Sequence, residues 1–189
     1  MLHLHELDAA VTETFTWKGR NGPFDLTVGA QTFTPSTISK LVADSLEISQ
    51  GDTVIDVGTG TGILAIVAAK LGAGRVYATD SSEGTVAVGS ENAARLGVSG
   101  QVTFLQGDLF DPIPGDVEAD VVIGDVSGIP DSIAAESGWF PTRSGGGPRG
   151  SELPIRMLEG AVKRMKPNGK LFLPTGTLQD EAAILDRAR

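Results

Sequence analysis

Three glycines and four aspartates stand where a sequence of this kind can place chemistry. The stretch VIDVGTGTGIL puts Gly58, Gly60 and Gly62 between an apolar strand pattern and a helical one. Alternating glycines serve two needs there. The backbone must turn sharply, and a ligand must approach the main chain without meeting a Cβ. Asp56 sits just before them, inside the strand end. Asp80 ends the next strand pattern, RVYATD, roughly twenty residues after the first glycine, where an acid can reach a ribose diol. Asp108 follows QVTFLQG, in reach of an exocyclic amino group, with Leu109 beside it to pack on a ring. Asp125 leaves ADVVIG and opens a polar loop, DVSGIP. Singly, each acid has a plainer use as a helix cap or a turn residue. Four acids after four successive strands form a pattern.

Two cofactor classes compete for this arrangement. A dinucleotide loop runs G-x-G-x-x-G, with the third glycine opening the helix that faces the pyrophosphate. Here that third position is Ile63, and the glycine comes one residue early. Asp56 also argues against a pyrophosphate, which a carboxylate repels. The same carboxylate attracts an ammonium or sulfonium.

The elements that must position these residues are legible as alternating patterns. Short apolar strands (TVIDV, RVYAT, QVTFL, ADVVIG, KLFLP) alternate with helical stretches that begin at Gly62, Ser82, Ser151 and Gln179. Such alternation implies right-handed crossovers and a doubly wound, mainly parallel sheet covered on both faces. The ligand is expected at the carboxyl ends of the strands. Before them, ETFTWKG and PFDLTVG read as a strand pair around RNG. A helix follows, with Thr34 as N-cap, Pro35 at its first position, and an apolar stripe of Ile38, Leu41, Val42 and Leu46. Residues 1–50 are thus read as an N-terminal extension packed on the core, and residues 51–189 as the ligand-binding domain. The segment from Asp125 to Gly150 reads as a long loop, the length of a lid or binding loop.

Composition narrows the function. With no cysteine, thiolate metal sites and cysteine nucleophiles are excluded. His3 and His5 alternate near the N-terminus and read as surface residues; no metal cluster is visible. The net charge of -9 argues against a nucleic-acid partner. No apolar run approaches membrane-spanning length, no signal peptide is visible, and a cytoplasmic enzyme is the expectation. Trp139 and Phe140 are candidates to cover a substrate or to anchor the loop. Arg143 and Arg149 either bind an anionic group or are solvated.

From Thr53 to Pro174 the assembly resembles the class I S-adenosylmethionine-dependent methyltransferases, with DVGTGTG as the glycine motif. The resemblance implies a Rossmann-like fold with S-adenosyl-L-methionine held by Asp56, Gly58, Thr59, Gly60, Gly62, Asp80, Ser81, Asp108 and Leu109. Asp80 and Ser81 would face the ribose, Asp108 and Leu109 the adenine, and Asp56 the methionine ammonium. Within the family the chain is similar to the release-factor glutamine methyltransferase (HemK-like) branch. That branch carries N-P-P-Y-I-P where this chain reads D-V-S-G-I-P, Asp125 to Pro130. TFTPST resembles its entry helix, which aligns Thr37 with a cofactor-side threonine, and GGPRGSELPIRMLEGA resembles its Gly-Gly segment.

The rewritten signature points away from an amide acceptor. An ionised Asp125 only accepts hydrogen bonds, and Gly128 offers no ring to stack. A carboxylate there suits an amine or hydroxyl that must lose a proton, with Asp125 as catalytic residue; the plainer reading makes it a turn cap. The expected reaction is methyl transfer to an N or O nucleophile of a small molecule. A protein side chain is the second acceptor class, and a noncatalytic cofactor-binding subunit the third reading. The family's final antiparallel strand pair is missing. Either the chain is cut short, or a neighbouring copy or partner is expected at the sheet edge.

Overall fold

The computed structural model describes residues 12–138 and 145–189. Trp139, Phe140 and Arg143, like His3 and His5, lie outside the described residues. Five strands form one parallel sheet: β3 (Thr53–Val57), β4 (Arg75–Asp80), β5 (Val102–Gln106), β6 (Ala119–Ile123) and β7 (Met165–Phe172). Their order is β5-β4-β3-β6-β7, so the chain reverses direction across the sheet between β3 and β6. That is the topological switch point, where an open α/β sheet leaves a crevice. Among the described residues no antiparallel strand joins this sheet. β1 (Thr12–Trp17) and β2 (Phe24–Gly29) pair separately as the antiparallel hairpin read from the sequence.

Helix α2 (Ile63–Lys70) explains why the hairpin is there. Seven of its eight residues are buried, on every side of the helix. A helix apolar all round needs cover on both sides. The sheet covers one side. The other meets Trp17 and Leu26 of the hairpin, with Val42 and Leu46 of the next segment, in one continuous cluster. Gly19 makes room for Trp17, whose ring lies 2.3 Å from where a Cβ would stand. The indole donates to the Arg20 carbonyl, and the Arg20 guanidinium donates to the carbonyls of Ala43, Asp44 and Leu46. It thereby serves the open C-terminal end of α1 (Thr37–Ser45).

The start of α1 differs from the expectation. Its N-cap is Ser36, not Thr34, and Pro35 lies outside the helix. Ser36 Oγ accepts from the Ile38 and Ser39 amides, while Ser39 Oγ accepts from the Ser36 amide. This reciprocal box outcompetes a lone threonine. The stripe is also rotated. Val42, Ala43 and Leu46 are buried, whereas Ile38 and Leu41 are exposed.

Two further expectations are corrected. Within the supposed loop, Asp131–Ser137 form helix α4, closed by a left-handed Gly138. Strand β7 starts at once after α5 (Glu152–Arg164), at Met165 rather than at the Lys170 that opens the expected KLFLP strand, so Pro167 and Gly169 lie inside it. The ladder with β6 accommodates them by a register shift between Ala119 and Val121.

Asn92, on α3 (Glu83–Arg95), fastens the hairpin to the parallel-sheet core. Its fully buried amide accepts from the Thr27 amide and donates to the carbonyls of Thr27 and Thr61. Asn92→Ala is expected to lower stability by about 2–4 kcal/mol, because three backbone groups lose their partner in a dry site. Urea unfolding followed by circular dichroism measures this; a change under about 0.5 kcal/mol would contradict it.

Candidate active site

A cleft of about 810 Å³ opens over the carboxyl ends of β3, β4 and β6. Its floor is the glycine loop. Gly58, Gly60 and Gly62 all have positive φ (72°, 55° and 81°), which fixes the sharp turn from β3 into α2. The Gly58 and Thr59 amides both donate to the Thr79 carbonyl at 2.9 Å, so the loop is tied to the end of β4. A Cβ on Gly60 would meet no protein atom within 4 Å. The space before it belongs to the cleft.

Asp56 lies beneath this floor, 1% exposed, and is not itself part of the cleft wall. Its Oδ2 accepts from Thr59 Oγ1 at 2.6 Å and from the Ala65 amide at 3.1 Å. Its Oδ1 has no hydrogen-bond partner among the described residues. Burial pushes the carboxyl up to about 7, against the Thr59 hydrogen bond; the nearby charges of Asp125 and Asp80 push the same way. Thr59 therefore turns its side chain inward, and its neighbours carry the open face of the loop.

The remaining acids stand on the cleft wall. Asp80 Oδ2 accepts from the Gly60 amide at 3.2 Å and Oδ1 from the Ser82 amide at 3.1 Å. Each oxygen keeps a further lone pair for a ligand. The cap of α3 is Ser82, so neither Asp80 nor Ser81 is used for that purpose. Ser81 is exposed at the cleft edge. Asp108 is exposed at the rim and pairs with Arg156. Leu109 beside it holds a left-handed backbone, φ 47°, and its carbonyl accepts from Thr79 Oγ1 at 2.8 Å. Asp125 also faces the cleft, with Oδ2 accepting from Ser39 Oγ at 2.6 Å. Burial raises its carboxyl, and the Ser39 hydrogen bond opposes this.

Of the cofactor and catalytic residues expected from the sequence, Asp56, Gly62 and Thr37 are absent from the cleft wall; a Cβ on Gly62 would stand 3.0 Å from the Phe104 ring and 3.3 Å from Gly89, on the packed side of the loop. Thr37 is exposed on the first turn of α1, while its neighbours Ser36, Ile38 and Ser39 line the cleft. Ser39 was missed. Its signal was a serine two turns before the end of an apolar helix, three residues after another serine. The GGGPRG cluster also finds a purpose. Cβ atoms on Gly145, Gly146 and Gly150 would lie 2.1–2.7 Å from carbonyls of Ile129, Ser127 and Gly128, respectively. The Gly146 amide donates to the Ile129 carbonyl at 2.7 Å. These glycines let one segment lie directly on the loop that Asp125 opens. Arg149 in the same segment pairs with Glu152 and Asp180, which leaves it no role toward a cleft anion.

Among the described residues lining the cleft, the charged ones are Asp80, Asp108 and Asp125, with no lysine, arginine or histidine. An orphaned Asp56 oxygen under the floor, an open face at Gly60 and this acidic wall fit a cationic, ribose-bearing ligand such as S-adenosylmethionine.

The chain belongs to the class I S-adenosylmethionine-dependent methyltransferases. The profile of the family described as ribosomal protein L11 methyltransferase (PrmA) matches residues 34–127. A release factor glutamine methyltransferase of Moorella thermoacetica is 34% identical over 158 residues, which covers 80% of this chain and 55% of that protein. A ribosomal protein L11 methyltransferase of Pelotomaculum thermopropionicum is 47% identical over 88 residues, covering 47% of this chain and 27% of that protein. The chain thus spans about half of the first relative and about a quarter of the second. A T. thermophilus 16S rRNA methyltransferase, solved with AdoMet and guanosine, shares the fold over 95% of this chain and 46% of its own, with TM-score 0.73 and 14% identity. No helix among the described residues is long and apolar enough to cross a membrane.

Two measurements probe this site. Gly60→Ala is expected to fold at a cost of about 1 kcal/mol for its left-handed backbone, since its Cβ meets no protein atom, yet to lose S-adenosylmethionine binding in calorimetry; unchanged affinity would mean the ligand lies elsewhere. The second concerns Asp56. Its folded carboxyl titrates near 7, above the ordinary 3.8. Between those values the folded state holds a proton that the unfolded state has lost. Asp56 therefore makes stability fall as pH rises through that window, at about 1.4 kcal/mol per pH unit. Stability profiles of the wild type and Asp56→Asn should diverge across pH 4–7; parallel profiles would refute the assignment.

Proposed function

We propose that this chain transfers a methyl group from S-adenosylmethionine to an amine nitrogen of a protein. The observation that carries this reading is the cleft wall, whose charges are all carboxylates. Such a wall attracts a cationic cofactor and a cationic acceptor, and disfavours a phosphate backbone. The bound cofactor supplies an electrophilic methyl group on a sulfonium. Gly58 and Gly60 give its main-chain approach, Gly62 sets the turn into α2, Asp80 and Ser81 give its ribose contacts, and Asp108 and Leu109 its adenine edge. Asp56 acts from below through its free oxygen. The chain's own work is then alignment and exclusion of water.

Asp125 carries the acceptor side of the reaction. An aliphatic amine is protonated at neutral pH and must lose that proton before its lone pair can attack. A carboxylate raised by burial, held by Ser39 and facing the cleft, orients the N–H bonds and takes up the proton. Both sequence relatives are named for methylation of a protein, which supports a protein acceptor over the small molecule expected from the sequence. The shared fold extends to an rRNA methyltransferase, so fold alone does not separate protein from RNA. The acidic wall and the net charge of -9 favour protein.

The test is methyl transfer from radiolabelled cofactor to ribosomal protein L11, a release factor, and ribosomal RNA, followed by hydrolysis and amino-acid analysis. Label in methylated amines supports the proposal. Label in RNA or in methylglutamine overturns the acceptor, and binding without transfer to any of them favours a noncatalytic subunit. With the acceptor in hand, Asp125→Asn is expected to lower kcat by about 10²–10⁴-fold. Cofactor affinity should stay within twofold, and a variant as fast as the wild type would exclude the proton-accepting role.

A further inference from the structure

Next to Asp125 the cleft wall holds two polar groups that the reaction described so far does not use. Ser127 Oγ and Gln179 Oε1 are both shut off from solvent without a hydrogen-bond partner among the described residues. Both residues line the cleft. Buried oxygens left unpaired are costly, and such groups in a ligand site are commonly completed by the ligand.

Their placement is built rather than incidental. Gln179 comes from the turn after β7, roughly fifty residues from Ser127. Its amide lies directly on Gly128: a Cβ there would stand 2.3 Å from Nε2 and 2.8 Å from Cδ. Only glycine at 128 admits it. The turn is anchored on both sides. The Gln179 amide donates to the Gly176 carbonyl, and the Asp180 amide donates to the Arg149 carbonyl, both at 3.2 Å. The Arg149 guanidinium pairs with the Asp180 carboxylate. Opposite, the glycine segment clamps the backbone of Ser127 and Gly128.

We propose that Ser127 and Gln179 bind the acceptor nitrogen together with Asp125 and determine which acceptors enter; this rests on the amine reading above. All three residues line the same cleft, Gln179 lying against the neighbour of Ser127, and no cation stands among the described lining residues to compete for their oxygens. A primary ammonium on an unbranched stem presents three N–H bonds to three oxygens. A planar amide presents two in one plane, and a hydroxyl presents one. Gln179 and Ser127 therefore discriminate by the number and spread of donated hydrogens, while Asp125 handles the proton.

The test uses the full chain saturated with S-adenosylhomocysteine, isotope-labelled for NMR, with n-butylammonium as probe beside propionamide and n-butanol. Saturable shifts at the Gln179 side-chain amide and the Ser127 backbone amide, strongest with n-butylammonium, are expected. Gln179→Ala should weaken the probe by roughly tenfold, the scale of a hydrogen bond to a charged group. Gln179→Glu should tighten it, because the carboxylate adds charge, and Ser127→Ala should weaken it. Homocysteine-product affinity should hold within twofold in all three. Probe binding with equal affinity in wild type, Gln179→Ala and Ser127→Ala overturns the inference and leaves the amine reading standing. Preference for propionamide overturns both, and failure to bind S-adenosylhomocysteine removes the functional reading itself.

Discussion

One carboxylate oxygen governs the geometry of this site. Asp56 Oδ2 takes the Thr59 hydroxyl and the Ala65 amide at once, so it holds the glycine loop and the first turn of α2 in a single relation to β3. Every other feature of the cleft is hung from that relation. The loop leans on the Thr79 carbonyl, Asp80 reaches back to the Gly60 amide, and β6 delivers Asp125 beside the same strand. The second oxygen of Asp56 has no partner among the described residues. Burial lets this carboxyl keep its proton up to about 7. The same carboxyl thus shapes the site from below its floor.

The N-terminal hairpin and α1 complete this arrangement from the far side of α2. They supply more than cover. Ser39 grips Asp125 from α1, and Gln31, Phe33 and Ile38 form part of the cleft wall. The proposed acceptor side draws on three segments distant in sequence: the loop after β6, the glycine segment before α5 and the turn after β7. The cofactor side is compact in sequence and the acceptor side is dispersed, which fits a fold whose cofactor chemistry is shared while its acceptors vary.

This difference also decides what the sequence reveals. The alternating strands and helices are legible because each apolar run is short, continuous and bounded by turn residues. The glycine loop and its aspartates are legible because each falls directly after such a run. Helix α4 is hidden: of its residues Asp131–Ser137 only Ala134 is buried, so no apolar stripe marks it. The apolar stripe of α1 misleads because Ile38 faces the open cleft rather than the core. Ser39 is hidden because a serine on a helix carries no periodic signal until its partner is known. The contact of Gln179 with Gly128 joins positions too far apart for any spacing rule. Physical pattern reads contacts made within an element or across neighbouring ones, and the acceptor side is made of neither.

The burial of α2 on all sides has a consequence for biosynthesis. A helix this apolar is a hazard whenever it leaves the ribosome uncovered, since exposed hydrophobic surface in a nascent chain invites aggregation. Here residues 12–46, which supply one of its two coverings, are made before it, and β3 immediately so. The strands that finish the other covering follow later. Placing the hairpin and α1 ahead of the core gives the nascent α2 a local partner from the moment it emerges, a protection that the order of translation alone provides.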